Sequence, residues 1–221
     1  MNAGRSAKIP RWRVAREKGL SLTEAEGEIT RRIAEKQSTA GDITATLRAI
    51  SDTCRAHGVA LASHDDDTVE KVALMQALGV GISEFPVTVE AATEARARGL
   101  TTAMGEPNAL RGMSYSGNLS ARTALGAGLL DIMASDYHPS ALLPAVLELA
   151  KADRQGLAGS TRLATLNPAR ALGLKDRGTI GPGMLADLLI ADEAGIGHVR
   201  ATLRGGRKIS SDGSVTMERA A

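Results

Sequence analysis

Short apolar segments alternating with amphipathic helices predict an α/β fold: a partial, TIM-like (β/α)-barrel followed by a small C-terminal β appendage. Three observations carry that reading. Strand-like runs at 59–63, 80–83, 100–104 and 129–134 are separated by helical patterns, and such alternation implies parallel strands joined by right-handed crossovers. Gly79, Gly99 and Gly128 stand where the intervening helices should stop. The chain has 221 residues, whereas a complete eight-unit barrel takes about 250. A doubly wound open sheet would show the same alternation, but it should carry a Gly-rich phosphate turn after one strand, and the sequence has none.

The elements follow in order. Residues 1–41 are polar and basic, with Arg5, Lys8, Arg11, Arg13, Arg16 and Lys18 ahead of a helix expected from Thr23 to Lys36; they read as a solvated helical lead-in. From Asp42, the apolar residues Ile43, Leu47, Ile50 and Cys54 recur at helical spacing until Gly58. Residues 42–172 are assigned to the barrel, with further helices at 69–78, 89–98, 120–127, 141–151 and 160–172. The Gly-rich stretch 173–183 then opens residues 173–221, where strands at 186–191, 199–203 and 207–209 form part of a small β-sandwich.

Composition narrows the function. With 43% hydrophobic and 24% charged residues the chain has the make-up of a soluble globular protein. Aromatic residues are 2% of the chain, so stacking platforms for nucleic acid are nearly absent and no nucleic-acid partner is expected. A formal net charge of +2 decides little by itself. The single cysteine, Cys54, excludes an internal disulfide and a thiolate-rich metal site. Neither a run of about 18 apolar residues nor the apolar core of a signal peptide is present. The expectation is a cytoplasmic protein with no membrane partner.

In a barrel the chemistry sits on the loops after the strands. Here those loops hold Ser63-His64-Asp65-Asp66-Asp67, Ser83-Glu84-Phe85-Pro86, Gly105-Glu106-Pro107-Asn108 and Ser135-Asp136-Tyr137-His138-Pro139. His64 at a strand's C-terminal end, followed by carboxylates, suits Zn²⁺ or Mn²⁺; Asp67 reads as the N-cap of the helix beyond Thr68. Asp136 could bind a metal and take a proton from its water, or cap the helix before Pro139. Glu84 and Glu106 read equally as site acids or as solvated loop residues. Arg111 lies in an expected long loop among small residues, where its planar fork suits phosphate. His138 is a candidate ligand contact, while His57 and His198 read as surface histidines.

The strings Ala62-Ser63-His64-Asp65-Asp66-Asp67-Thr68, Ser83-Glu84-Phe85-Pro86, Pro107-Asn108 with Arg111-Gly112, Ser116-Gly117-Asn118 and Ser135-Asp136-Tyr137 together resemble the phosphonate-pathway diphosphatases of the amidohydrolase superfamily. Asn167-Pro168-Ala169-Arg170 and the segment 183–187 resemble the tail of amidohydrolases generally. The resemblance implies a metal-dependent barrel hydrolase that releases pyrophosphate from a sugar phosphonate 5-triphosphate in the carbon–phosphorus lyase route. It implies His64 and Asp136 as ligands of a divalent ion, zinc or manganese, with Asp136 also catalytic; Glu84, at the end of the next strand, is a further candidate ligand. Arg111, Asn118, Asp65, Tyr115 and His138 fall on the substrate side. Tyr115 stands where the family usually has His, and Glu106 where it usually has a small residue. The family's first-strand His-x-aspartate or His-x-His motif would lie ahead of these residues, so a complementing N-terminal segment or a homo-oligomer is expected. Two other readings remain open: a non-catalytic remnant or binding protein, and a deaminase or cyclic-amide hydrolase of the same superfamily.

Overall fold

The structure is a computed structural model that describes residues 11–38, 40–112, 118–135 and 137–216. It divides into two compact units, Met1–His57 and Gly58–Ala221.

The first unit contains α1 (Arg11–Lys18), α2 (Leu22–Ser38) and α3 (Ala40–Ala56). Helix α2 begins with a reciprocal cap. The Ser21 N–H donates to Glu24 Oε2 at 2.8 Å, and the Glu24 N–H donates to Ser21 Oγ at 3.3 Å, which satisfies two donors left open at the helix start. Helix α1 packs on α2, and Lys18 reaches Glu28 at 2.5 Å while Arg31 meets the same carboxylate at 2.7 Å. The Lys18 ammonium first, and then Arg31, hold the Glu28 carboxyl down to about 2.

The second unit is built on β1 (Ala62–His64), β2 (Ile82–Glu84), β3 (Thr101–Gly105) and β4 (Ile132–Ala134), parallel and adjacent in chain order. Their crossovers contain α4 (Val69–Ala77), α5 (Val89–Ala97), and the pair α6 (Glu106–Arg111) and α7 (Ala121–Gly126). After β4 come a short 3-10 turn (Pro139–Ala141), α8 (Leu142–Ala150), α9 (Gly156–Ala164) and α10 (Leu166–Ala171). This is the partial (β/α)-barrel: among the described residues β1 pairs only with β2 and β4 only with β3, so the sheet is open. Two apolar clusters hold it together. Val72, Val80, Ala91, Ala95 and Leu100 pack under the first two crossovers. Met104, Leu119, Leu129, Leu130, Met133, Leu149 and Leu163 form the larger one, with five alanines letting the helices approach closely.

The expected helix stops appear as such, with Gly79, Gly99 and Gly128 at φ 79°, 78° and 69°, a region where a Cβ is costly. Three expectations need correction. The strands begin one to three residues later than the apolar runs, because Val80, Leu100, Leu129 and Leu130 are buried before strand pairing starts. The helix expected over 160–172 is two helices broken at Thr165 (φ −127°, ψ −83°), since Pro168 has no N–H for the Ala164 carbonyl and its ring would clash there. The long loop expected around Arg111 contains α6, which Pro107 opens from its first turn, the position where a missing N–H costs nothing.

The appendage is an antiparallel sheet of β5 (Leu188–Asp192), β6 (His198–Arg204) and β7 (Arg207–Ser211), in that order. Arg200 ties it together, contacting Asp192 and Asp212.

Candidate functional site

The site is built at the C-terminal ends of the parallel strands. His64 and Glu84 are register partners at the ends of β1 and β2, so they share one face of the sheet. Ser63 and Ser83, also partners, point to the other face and are buried. The chain leaves both strands in the same way. Asp65 and Phe85 adopt φ 54°; the Asp65 N–H donates to Glu84 O at 2.9 Å and the Phe85 N–H to Ala103 O at 2.8 Å. The positive φ turns each loop out of the sheet immediately after the residue whose side chain ends the strand.

That turn surrounds the His64 imidazole with fixed neighbours. Asp65 Oδ2 lies 3.0 Å from His64 Nδ1, which places the ring proton on Nδ1 and leaves Nε2 as the lone-pair nitrogen. The Phe85 ring stands edge-on to it, with centroids 5.3 Å apart and planes at 87°. Gly105 makes room for Phe85, because a Cβ there would sit 3.2 Å from the ring. The His64 side chain remains 58% exposed, accessible to a ligand.

Behind the loop lies a cluster that the Asp65-Asp66-Asp67 run did not single out. Asp66 is fully buried. Its Oδ2 accepts from Ser63 Oγ and Ser83 Oγ, both at 2.5 Å, and its Oδ1 lies 3.4 Å from Lys71 Nζ. Lys71 Nζ also donates to the His64 and Asp65 carbonyls at 2.7 and 2.9 Å. The cap of α4 is Thr68, whose side chain accepts from the Lys71 N–H, and not Asp67 as the sequence suggested; Thr88 does the same for α5. The available signal was the period: Ser63 and Ser83 occupy positions that alternation assigns to the buried face, and buried hydroxyls need a polar partner.

Glu106 opens α6 and is fully buried, not solvated. Arg111 ends the same helix with an exposed side chain. Two residues tie α6 to the next segment. Asn108 donates to Leu119 O at 3.3 Å and accepts from the Ala121 N–H at 3.2 Å; Arg122 donates to the Ala109 and Leu110 carbonyls at 2.9 and 3.2 Å. They bring the end of α6 and the stretch starting at Asn118 to one place. His138 is exposed and contacts Ser140 Oγ at 3.3 Å. Asp136 and Tyr115 lie outside the described residues. Among the described residues no three side chains gather as a metal-binding group. The donor chemistry that is described fits one side of such a site: an imidazole with an oriented free nitrogen, beside the carboxylate of Glu84.

At the opposite end of the sheet, a cavity of about 500 Å³ is lined by Arg96, Thr101, Asp131, Asn167 and Arg170, among others. Its polar groups serve the fold. Asp131 accepts from the Thr102 N–H at 3.0 Å, and Asn167 donates to Asp131 O at 2.8 Å. The N-terminal face of a barrel sheet serves stability rather than chemistry. No helix among the described residues is long and apolar enough to cross a membrane.

Residues 17–216 match the family model described as Amidohydrolase family. Over 144 residues the chain is 49% identical to an alpha-D-ribose 1-methylphosphonate 5-triphosphate diphosphatase of Escherichia coli (strain K12), covering 64% of this chain and 38% of that protein. Over 83 residues it is 42% identical to an adenine deaminase of Desulfatibacillum aliphaticivorans, covering 35% of this chain and 15% of that protein. The chain thus spans well under half the length of these relatives. Among solved structures, a prolidase complexed with N-methylphosphonate-L-proline aligns at a TM-score of 0.59 with 20% identity, covering 75% of this chain and 48% of that one, a likeness of fold.

Proposed function

The chain belongs to the amidohydrolase family, and from that premise we propose that its residues form part of a metal-dependent hydrolase that releases pyrophosphate from a sugar phosphonate 5-triphosphate. The observation that carries the reading is the pairing of His64, oriented by Asp65, with Glu84 at the C-terminal strand ends. The diphosphatase relative supplies the substrate class. A divalent cation, zinc or manganese, would be held by His64, Glu84 and Asp136, and when bound it supplies Lewis acidity toward water and phosphoryl oxygen.

The chain's own residues would do the rest. Asp65 accepts a hydrogen bond from Nδ1 of His64 and so turns the Nε2 lone pair toward the ion. Asp136 accepts a proton from water as the water oxygen attacks phosphorus; the phosphoanhydride bond breaks and pyrophosphate leaves. Arg111 and Asn118, with Tyr115 and His138, would contact phosphate oxygens from the substrate side. The open edges at β1 and β4 favour pairing with further strands, from a complementing segment or from a second copy.

The test is pyrophosphate release from α-D-ribose 1-methylphosphonate 5-triphosphate with Zn²⁺ or Mn²⁺, with and without a second polypeptide carrying the family's first-strand metal motif. The expected result is little release by the 221-residue chain alone and metal-dependent release on complementation. Ammonia release from adenine, with none of pyrophosphate, would favour the deaminase reading instead.

A further inference from the structure

We propose that Lys71 is a positioning residue for His64, acting through the backbone and not through the imidazole. The inference rests on the metal-ligand reading of His64 given above. Three observations converge on it. The Lys71 ammonium bridges two successive carbonyls, His64 O at 2.7 Å and Asp65 O at 2.9 Å, and these flank the peptide that makes the left-handed turn at Asp65 (φ 54°). A non-glycine residue at that φ is held there by its surroundings. Second, the Lys71 side chain is only 12% exposed, which restricts it, and its charge is balanced by the fully buried Asp66. Third, Asp66 is anchored to both strands through Ser63 and Ser83.

The chain of contacts therefore runs from the sheet, through Asp66, to Lys71, and on to the two carbonyls that set where His64 and its partner Asp65 stand. The loop after β2 has the same turn but Ala91 at the place corresponding to Lys71, so the ammonium is not required for the turn as such. What it adds is a rigid hold on the loop that carries the imidazole. Contacts beyond the metal's own ligands change affinity by such orientation.

The test is a Co²⁺ titration followed by absorption, together with amide exchange at Asp65 in the metal-free 221-residue chain. Lys71→Met alone strands the Asp66 charge and risks misfolding, so the double variant Lys71→Met with Asp66→Asn, which removes both charges, is the main arm. Val72→Ala, which trims a buried core residue beside Lys71, is the control for lost stability. The double variant should bind Co²⁺ about tenfold or more weakly, with an altered visible spectrum and faster Asp65 exchange, while Val72→Ala stays within about twofold of the parent. If His64→Ala weakens Co²⁺ binding and the double variant does not, or if Val72→Ala weakens it equally, Lys71 has no positioning role and the metal reading stands. If His64→Ala leaves Co²⁺ binding unchanged, the metal reading falls and this inference falls with it.

Discussion

The loops after β1 and β2 share one backbone and are held by opposite means. Each leaves its strand through a residue at φ 54°, Asp65 or Phe85, and each ends in a threonine cap, Thr68 or Thr88. In the first, a buried carboxylate, two serines and an ammonium fix the chain. In the second, Phe85 packs over Gly105 and the buried Pro86 takes the place of Asp66. Apolar packing is enough to make the turn. The charged version therefore serves something besides the fold, and it is the one behind His64.

The largest expected effect breaks that contrast directly. Asp66→Ala leaves Lys71 as a nearly buried, uncompensated charge and should lower the urea-unfolding free energy by about 3–5 kcal/mol. Phe85→Ala should cost less, and an equal or greater loss there would mean that the two loops are not held differently. Next, Gly105→Ala forces a methyl to within 3.2 Å of the Phe85 ring, and should cost about 1–3 kcal/mol by thermal or urea unfolding. The caps sharpen the likeness instead. Thr68→Ala and Thr88→Ala should each cost about 1 kcal/mol, and clearly unequal losses would show that the two helix starts are not equivalent.

The smallest effect lies away from both loops, in the helices of the first unit. The Glu28 carboxyl is held down from 4.5 to about 2 by Lys18 and Arg31. A depressed acid adds stability that is complete above its unfolded value and disappears as pH falls through the folded one. Helical circular dichroism should therefore weaken between pH 4.5 and about 2, and Glu28→Gln should flatten that part of the profile.

Much of the fold was readable because its signals are local. The βα alternation, the three helix-stopping glycines and the short strands of the β appendage each depend on a few adjacent residues. Where a partner far along the chain decides, the pattern was silent. Asp66 looks like the middle of a solvated acidic run, and only the joint burial of Ser63 and Ser83 makes it an anchor. Glu106 reads as a loop acid until the packing of α6 encloses it. The helix α6 itself carried a usable sign, Pro107 in its first turn, and Ser21 with Glu24 marks the start of α2 one residue ahead of the expected Thr23. Of the site, the placement of His64 and Glu84 followed from strand register, whereas the roles of Lys71 and Phe85 needed three dimensions.

The central claim, that His64 and Glu84 hold a metal at the strand ends, is tested most directly by anomalous diffraction at the zinc edge from Zn²⁺-soaked crystals. The account predicts a peak about 2.0–2.1 Å from His64 Nε2, beside the Glu84 carboxylate, that disappears in His64→Ala crystals. Zinc bound only at His138 or His198, with none at His64, would contradict it.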